Sequence, residues 1–205
     1  AACGPRAHGF MKLPALDTST EACSAALLID DTIHERFEIA PGAHSRLILP
    51  MIEDLCTQAG VRLHDLDALV FGRGPGSFTG VRIAASVVQG LAYGADLPVI
   101  PVSTLAALAQ GAWQLHHWPR VLAALDARMG EVYWGAFQCG ADGVMRAVAD
   151  ECVMAPDQVI APPQGEWQGA GPGWAAYTAA LQTRCAGVAQ FDGQVWPRAA
   201  YLLPM

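Results

Sequence analysis

The residues with the clearest chemical potential lie in GRGPGSFTG, residues 72–80. Gly72, Gly74, Gly76 and Gly80 allow positive φ and close backbone approach. With the hydroxyls of Ser77 and Thr79, the loop amides could cradle an anion at the start of a helix. The loop matches neither the lysine-bearing spacing of a nucleotide-hydrolysing loop nor the GxGxxG of a dinucleotide loop. A tight strand-to-helix turn, with Ser77 capping the helix, explains the same residues. A second candidate is LDTST, residues 16–20. Asp17 ends a strand and is followed by Ser19 and Thr20, a set that could face Mg²⁺ and phosphate. An Asx or ST turn closing a hairpin is the alternative.

Other chemistries find less support. The histidines, at 8, 34, 44, 64, 116 and 117, include no HxxxH or HExxH spacing. His116 and His117 are adjacent, so a helix would point them apart, as at a solvated helix end. Ser77 is not in a GxSxG elbow. The six cysteines, at 3, 23, 56, 139, 152 and 185, form no CxxC pair and read as reduced, buried thiols of a cytoplasmic protein. LDARMG supplies Asp126, but Arg128 stands where a second phosphate loop needs glycine. That arginine is better suited to holding an anion or an acidic partner.

The elements that position these residues alternate between strand and helix. Residues 13–19 and 21–30 read as two strands joined by a short turn, and 32–40 as a third. Pro14 is awkward in an interior strand, which should start after it or bulge there. A helix follows from residue 44 and stops at Gly60. A buried strand, residues 66–72, runs into the glycine loop and its helix. Residues 97–102 form another strand, and Ser103 can cap the next helix, residues 104–112. A second series begins with strands at 120–127, 131–139 and 144–154. GAGPGW then reads as a turn before a helix over residues 175–183. Both series open with ALD, a tight turn and a glutamate, Glu21 and Glu131. This predicts an internal duplication of a β-β-β-α-β-α unit and an α/β fold with a mixed sheet in each half.

Composition narrows the function classes. The chain has 205 residues, 53% of them hydrophobic, and a net charge of −7. It can bury a core, but it has no Lys/Arg cluster with which to grip nucleic acid alone. No apolar run reaches the length of a membrane span. Residues 1–10 read as an upstream extension without a structural role.

The helix after the glycine loop carries no charge from Ile83 to Ala95. Ile83, Ala84, Val87, Val88, Leu91, Ala92 and Ala95 form one stripe. Ala85, Ser86, Gln89, Gly90 and Tyr93 form a second face that is small, flat and uncharged. The preceding helix carries Leu47, Ile48, Met51, Ile52 and Leu55 in one stripe, with Leu49 and Cys56 off it. Either these helices are sandwiched in one core, or their second faces meet another protein.

The blocks ALDTSTEACSAAL, GRGPGSFTGVRIAASVVQGLA, PVSTLAALA and LDARMGEVYWGAF resemble the TsaB (YeaZ) family of bacteria, also called glycoprotease-like. The resemblance covers residues 11–205. It implies the actin-like ATPase fold, with two ribonuclease-H-like halves, here residues 11–110 and 111–205. It also implies a cytoplasmic, non-catalytic subunit for threonylcarbamoyladenosine formation in tRNA, beside the anticodon. The partners implied are the catalytic paralogue TsaD, the ATPase TsaE and, when alone, a second copy of the chain. Contact with tRNA is expected only through the complex, and neither a cofactor nor a metal is expected. The Asn-His-x-x-x-His metal motif of TsaD is replaced by Ser103, Thr104 and Leu108, and leucine cannot ligate a metal. On this reading Asp17, Ser19, Thr20, Gly74, Gly76, Ser77, Thr79 and Gly80 form a vestigial anion or nucleotide loop. The partner face is expected at His44, Leu47, Ile48, Met51, Leu55, Ala85, Gln89, Gly90 and Tyr93. Family members usually carry a last helix beyond RAAYLLPM, so the C-terminal half is expected to be cut short. The rivals are an ATPase or protease, and a sugar-kinase relative holding a small ligand.

Overall fold

The computed structural model describes residues 11–188 and 190–205. The reading of the first ten residues, Cys3 and His8 included, falls outside the described residues. In the first half, β1 (Leu13–Asp17), β2 (Ala22–Ile29) and β3 (Thr32–Ile39) form an antiparallel meander. Then come α1 (His44–Gln58), β4 (Leu69–Gly72), α2 (Phe78–Ala95), β5 (Val99–Val102) and α3 (Thr104–His116). The sheet order is β3-β2-β1-β4-β5, with β4 and β5 parallel to β1.

In the second half, β6 (Arg120–Arg128) and β7 (Glu131–Cys139) pair antiparallel. They are followed by β8 (Met145–Ala147), β9 (Cys152–Met154), β10 (Gln168–Ala170), α4 (Pro172–Ala176), α5 (Thr178–Arg184), β11 (Phe191–Asp192) and α6 (Ala199–Leu202). The order is β11-β10-β6-β7-β8, with β10 and β11 parallel to β6. The two sheets therefore repeat one topology, with β1 matching β6 and β4 matching β10. This is the duplicated α/β architecture of the actin-like ATPase fold.

Four details differ from the sequence reading. Residues 144–154 are two strands, and β9 turns back to pair with the first part of β7 while β8 takes the last part. The GAGPGW stretch is no simple turn, because Gln168–Ala170 is a strand and the helix opens at Pro172. The repeat unit continues into a further strand and helix in the first half, and residues 155–167 form no counterpart of α1. Pro14 lies inside β1 without a bulge, pairs with Leu27, and precedes the first register pair with β4 at Ala15.

The layers follow from the apolar faces. Helices α1 and α2 cover one face of the first sheet around Leu16, Leu27, Ile48, Ile52, Leu69 and Val88. The short α6 returns to cover the opposite face with Tyr201 and Leu202. Helix α3 is buried from Thr104 through Ala112 and packs mainly on the second sheet through Leu105, Leu108 and Ala112. A helix apolar on every side is wrapped on every side. The boundary expected between residues 110 and 111 consequently falls inside α3. Trp174 anchors the other face of the second sheet, its Nε1 donating to the Leu122 carbonyl at 2.8 Å.

Candidate functional site: the interdomain cleft and the outer helix face

The glycine loop and the LDTST turn are one docked unit. The Ser77 amide donates to the Ser19 carbonyl at 2.7 Å, and Thr18 Oγ1 donates to the Gly80 carbonyl at 2.7 Å. Ser77 Oγ accepts from the Gly80 amide at 3.0 Å and so caps α2. These contacts explain the glycines. A methyl group at Gly76 would overlap the Ser19 carbonyl, and one at Gly80 the Thr18 carbonyl. At Gly72 it would overlap Asp17 Oδ2. Only Gly74 among the four has a positive φ, 94°. Close approach of two backbones thus accounts for Gly76 and Gly80, the buried Asp17 carboxyl for Gly72, and conformation for Gly74.

Asp17 is fully buried. Its Oδ1 accepts from the Ser19 amide at 2.8 Å and the Ser19 hydroxyl at 2.6 Å, while Oδ2 has no partner. Burial holds the carboxyl above its ordinary range, against the opposing pull of the Ser19 bonds and the nearby His44. Thr104, also fully buried, has an unpartnered Oγ1 beside this carboxyl. A carboxylate sealed in this way is badly placed to serve a hydrated cation.

A cleft of about 880 Å³ opens between the halves. Ser19, Thr20, Gly76, Ser77, Thr79 and Gly80 line it, whereas Asp17 and Gly74 do not. The far wall carries Asp126, Arg128, Tyr133 and Trp196, none of them named as cleft residues from the sequence except Asp126 and Arg128. Arg128 meets an acidic partner within the chain itself. Its guanidinium contacts Glu21 Oε1 at 2.9 Å and Asp126 Oδ2 at 3.2 Å. Asp126 also accepts from Tyr177 Oη at 3.1 Å. The matched carboxylates therefore differ in setting, Asp17 being sealed and Asp126 occupied at the cleft edge.

The positions of the paralogue's metal motif are filled otherwise. Ser103 caps α3 and donates to Glu151. Leu108 lies in the core of the second half. Among the described residues no three His, Cys, Asp or Glu side chains gather to hold a metal ion. His116 is not simply solvated: its Nε2 lies 2.9 Å from Asp192 Oδ2 and its ring stacks on Trp118. Among the cysteines, Cys23 and Cys185 are buried while Cys56, Cys139 and Cys152 are half-buried, so the expectation of burial holds only in part. Burial pushes the Cys23 thiol up to about 11. No helix among the described residues is long and apolar enough to cross a membrane.

The residues expected at a partner face divide into two groups. Gln89, Gly90 and Tyr93 stand outward on α2, Tyr93 being 93% exposed, and Ala85 is half-buried beside them. On α1, Leu47 and Met51 are half-buried. Ile48 and Leu55 are buried in the chain's own core, which corrects their assignment to a partner face. His44 is buried as well, lines the cleft, and leaves Nε2 without a partner. The exposed large hydrophobic side chain on α1 is Leu49, 41% exposed, among polar and charged neighbours. The uncharged outer face of α2 is thus open in the single chain.

Comparison with known proteins gives consistent results. The family model TsaD, described as tRNA N6-adenosine threonylcarbamoyltransferase, matches residues 25–184. The chain is 47% identical to an Escherichia coli (strain K12) protein named tRNA threonylcarbamoyladenosine biosynthesis protein TsaB, covering 95% of this chain and 85% of that one. A Haemophilus influenzae protein of the same name is 44% identical, with 95% and 84% covered. Among solved structures, YeaZ from Pseudomonas aeruginosa superposes with a TM-score of 0.90 at 47% identity, over 95% of this chain and 89% of that chain.

Proposed function

The chain belongs to the TsaB (YeaZ) family, and from that premise we propose that it takes part in threonylcarbamoyladenosine formation on tRNA as a non-catalytic subunit. Its role is to bind the catalytic paralogue TsaD and support it in modifying the adenosine beside the anticodon. TsaE joins the larger complex, the site of action is the cytoplasm, and in the absence of TsaD the same face pairs two copies of the chain.

The observation that carries this reading is the outer face of α2. An 18-residue helix with no charge between Ile83 and Ala95 leaves Gln89, Gly90, Tyr93 and Gly94 exposed. Ordinary surface helices carry charge on such a face. Glycines at Gly90 and Gly94, with no atom near a would-be Cβ, let another helix approach closely. On α1 the half-buried Leu47 and Met51 share one flank of the helix, and the exposed Leu49 stands on the opposite flank. The same patch on two copies can be self-complementary, which suits a two-fold pair.

The cleft supports the non-catalytic half of the reading. Asp17 is enclosed, and the glycine loop spends amide and carbonyl groups on the LDTST turn. The test is gel filtration of the chain with and without TsaD, together with a phosphate-release assay on the chain alone. Co-elution with TsaD and no ATP hydrolysis above a buffer control are expected. Turnover that vanishes in Asp17→Ala would overturn the reading in favour of an ATPase.

A further inference from the structure

A second, smaller depression of about 280 Å³ lies beside the glycine loop and adjoins the main cleft, with which it shares Gly76, Phe78 and Tyr133. Arg73, Arg82, Phe78 and Tyr133 line it together with Gly74, Pro75, Gly76 and Val81. No acidic side chain lines it. In a chain of net charge −7, two arginines lining one depression make a local cationic spot. Both have capacity left. Arg82 donates to the Phe78 carbonyl at 3.1 Å and stacks over the Phe78 ring at 3.4 Å, and it forms no ion pair with a described residue. Arg73 reaches Glu151 only at 3.6 Å and is half exposed. Glu151 is itself engaged by Ser103. Tyr133 Oη makes a long hydrogen bond, 3.4 Å, to the Gly76 carbonyl.

Phe78 is 73% exposed at the first position of α2. One ring face carries the Arg82 guanidinium, and the ring otherwise stands in solvent. Guanidinium groups suit a phosphate, and an exposed aromatic beside them suits a nucleobase. At about 280 Å³ the depression stands at the lower end of small-ligand sites, which run from roughly 300 Å³ upward. It can seat a phosphate while the strand continues outside. A base stacked on the exposed Phe78 would lie outside the depression, as in a strand that runs past it.

We infer that this depression is a contact for single-stranded RNA: Arg73 and Arg82 hold one phosphodiester, and the neighbouring base stacks on Phe78. The contact is auxiliary. Two phosphate-binding arginines on an acidic protein give weak, salt-sensitive binding, which adds to whatever a partner supplies. It lies on the loop side of α2, and it uses none of the residues assigned to the partner face.

The experiment is fluorescence anisotropy of a labelled single-stranded RNA of about twelve nucleotides, titrated with the full chain from low to moderate salt. Arg73→Gln, Arg82→Gln, Arg82→Lys and Phe78→Ala are measured alongside, each checked by thermal melt. Arg62→Gln, at an exposed Arg62–Asp65 pair elsewhere, serves as control. Arg82→Gln is expected to reduce the slope of log affinity against log salt by about 0.7, and Arg82→Lys to restore it. Phe78→Ala is expected to weaken binding about tenfold with the slope unchanged. Arg62→Gln should leave both readouts as in the parent chain. The inference is overturned by undetectable binding at low salt or by binding and slope unchanged in both glutamine variants. Binding of adenosine monophosphate as tight as the RNA, or of polyglutamate in preference to RNA, also overturns it. Retained TsaD binding in the same variants separates this site from the α1–α2 face.

Discussion

Arg128 reaches across the interdomain cleft to Glu21, its guanidinium 2.9 Å from the carboxylate. It is placed there by the β6–β7 hairpin, where Arg128, Met129 and Gly130 all have positive φ, at 66°, 53° and 81°. The β6–β7 register shifts between Asp126 and Arg128, just before Arg128 pairs with Glu131. The pair joins the start of the first sheet's hairpin to the end of the second sheet's central strand.

Arg128→Gln tests how much this bridge does. The arginine side chain is 71% exposed and the glutamate 45%, so solvent screens the pair. Loss of an exposed ion pair costs about 1 kcal/mol or less. The thermal midpoint should therefore fall by no more than about 4 °C. Hydrogen exchange should quicken at residues 18–21 and 126–130, where the bridge holds the halves. A much larger drop in the melt would mean that the halves depend on this one contact.

Asp17 sets a pH dependence. Its carboxyl is raised by burial in the folded chain, so folding favours the protonated form. Stability from this group is full below the unfolded value near 3.9, and is lost as pH rises through the folded value. Asp17→Asn removes that loss. The amide oxygen can keep both Ser19 bonds, and its Nδ2 gains a donor role beside the unpartnered Thr104 Oγ1. Melts from pH 4 to 8 should show a flatter profile for the variant, which should be at least as stable as the parent at pH 7. A variant less stable at pH 7 than at pH 4, relative to the parent, would contradict this.

Two glycines on one helix should respond oppositely to alanine. At Gly80 the new methyl meets the carbonyl of Thr18, a fully buried residue just past the end of β1, and a loss of about 3 kcal/mol is expected. At Gly90 no atom lies within 4 Å of the new methyl. Helix propensity then raises stability by about 0.5–1 kcal/mol. Denaturant melts of the two variants give both signs in one experiment.

Much of the frame was legible in sequence. The ALD–turn–glutamate repeat at Glu21 and Glu131 marked the two central hairpins, and the stripe through Ala84, Val88 and Leu91 marked the buried side of α2. The exchange of helices was harder to see. Residues 104–112 are apolar all round, a signal of a helix between two layers, but which layers is a matter of tertiary packing. Strand β10 was hidden because Gln168–Ala170 is three residues long and runs straight into Gly171-Pro172-Gly173. Ile48 and Leu55 were misplaced for a physical reason. A stripe at i, i+4 and i+7 looks alike whether it faces its own sheet or a partner, and here Ile48, Ile52 and Leu55 face the sheet. The depression at Arg73 and Arg82 had no motif to announce it, because eight residues and a sharp loop separate the two side chains.

The central claim is that the outer face of α2 binds TsaD, and Gly90→Glu tests it most directly. Glutamate is a far better helix residue than glycine, and at this open, exposed position it stays hydrated in the free chain. In the complex it would be stripped of water without a partner, at a cost of at least several kcal/mol. Affinity for TsaD should fall by about a hundredfold or more. The measurement is a calorimetric titration of TsaD with the parent and the variant, beside thermal melts of both. The account predicts a variant that melts at or above the parent and no longer binds TsaD. A variant that melts normally and binds TsaD as tightly as the parent would contradict it.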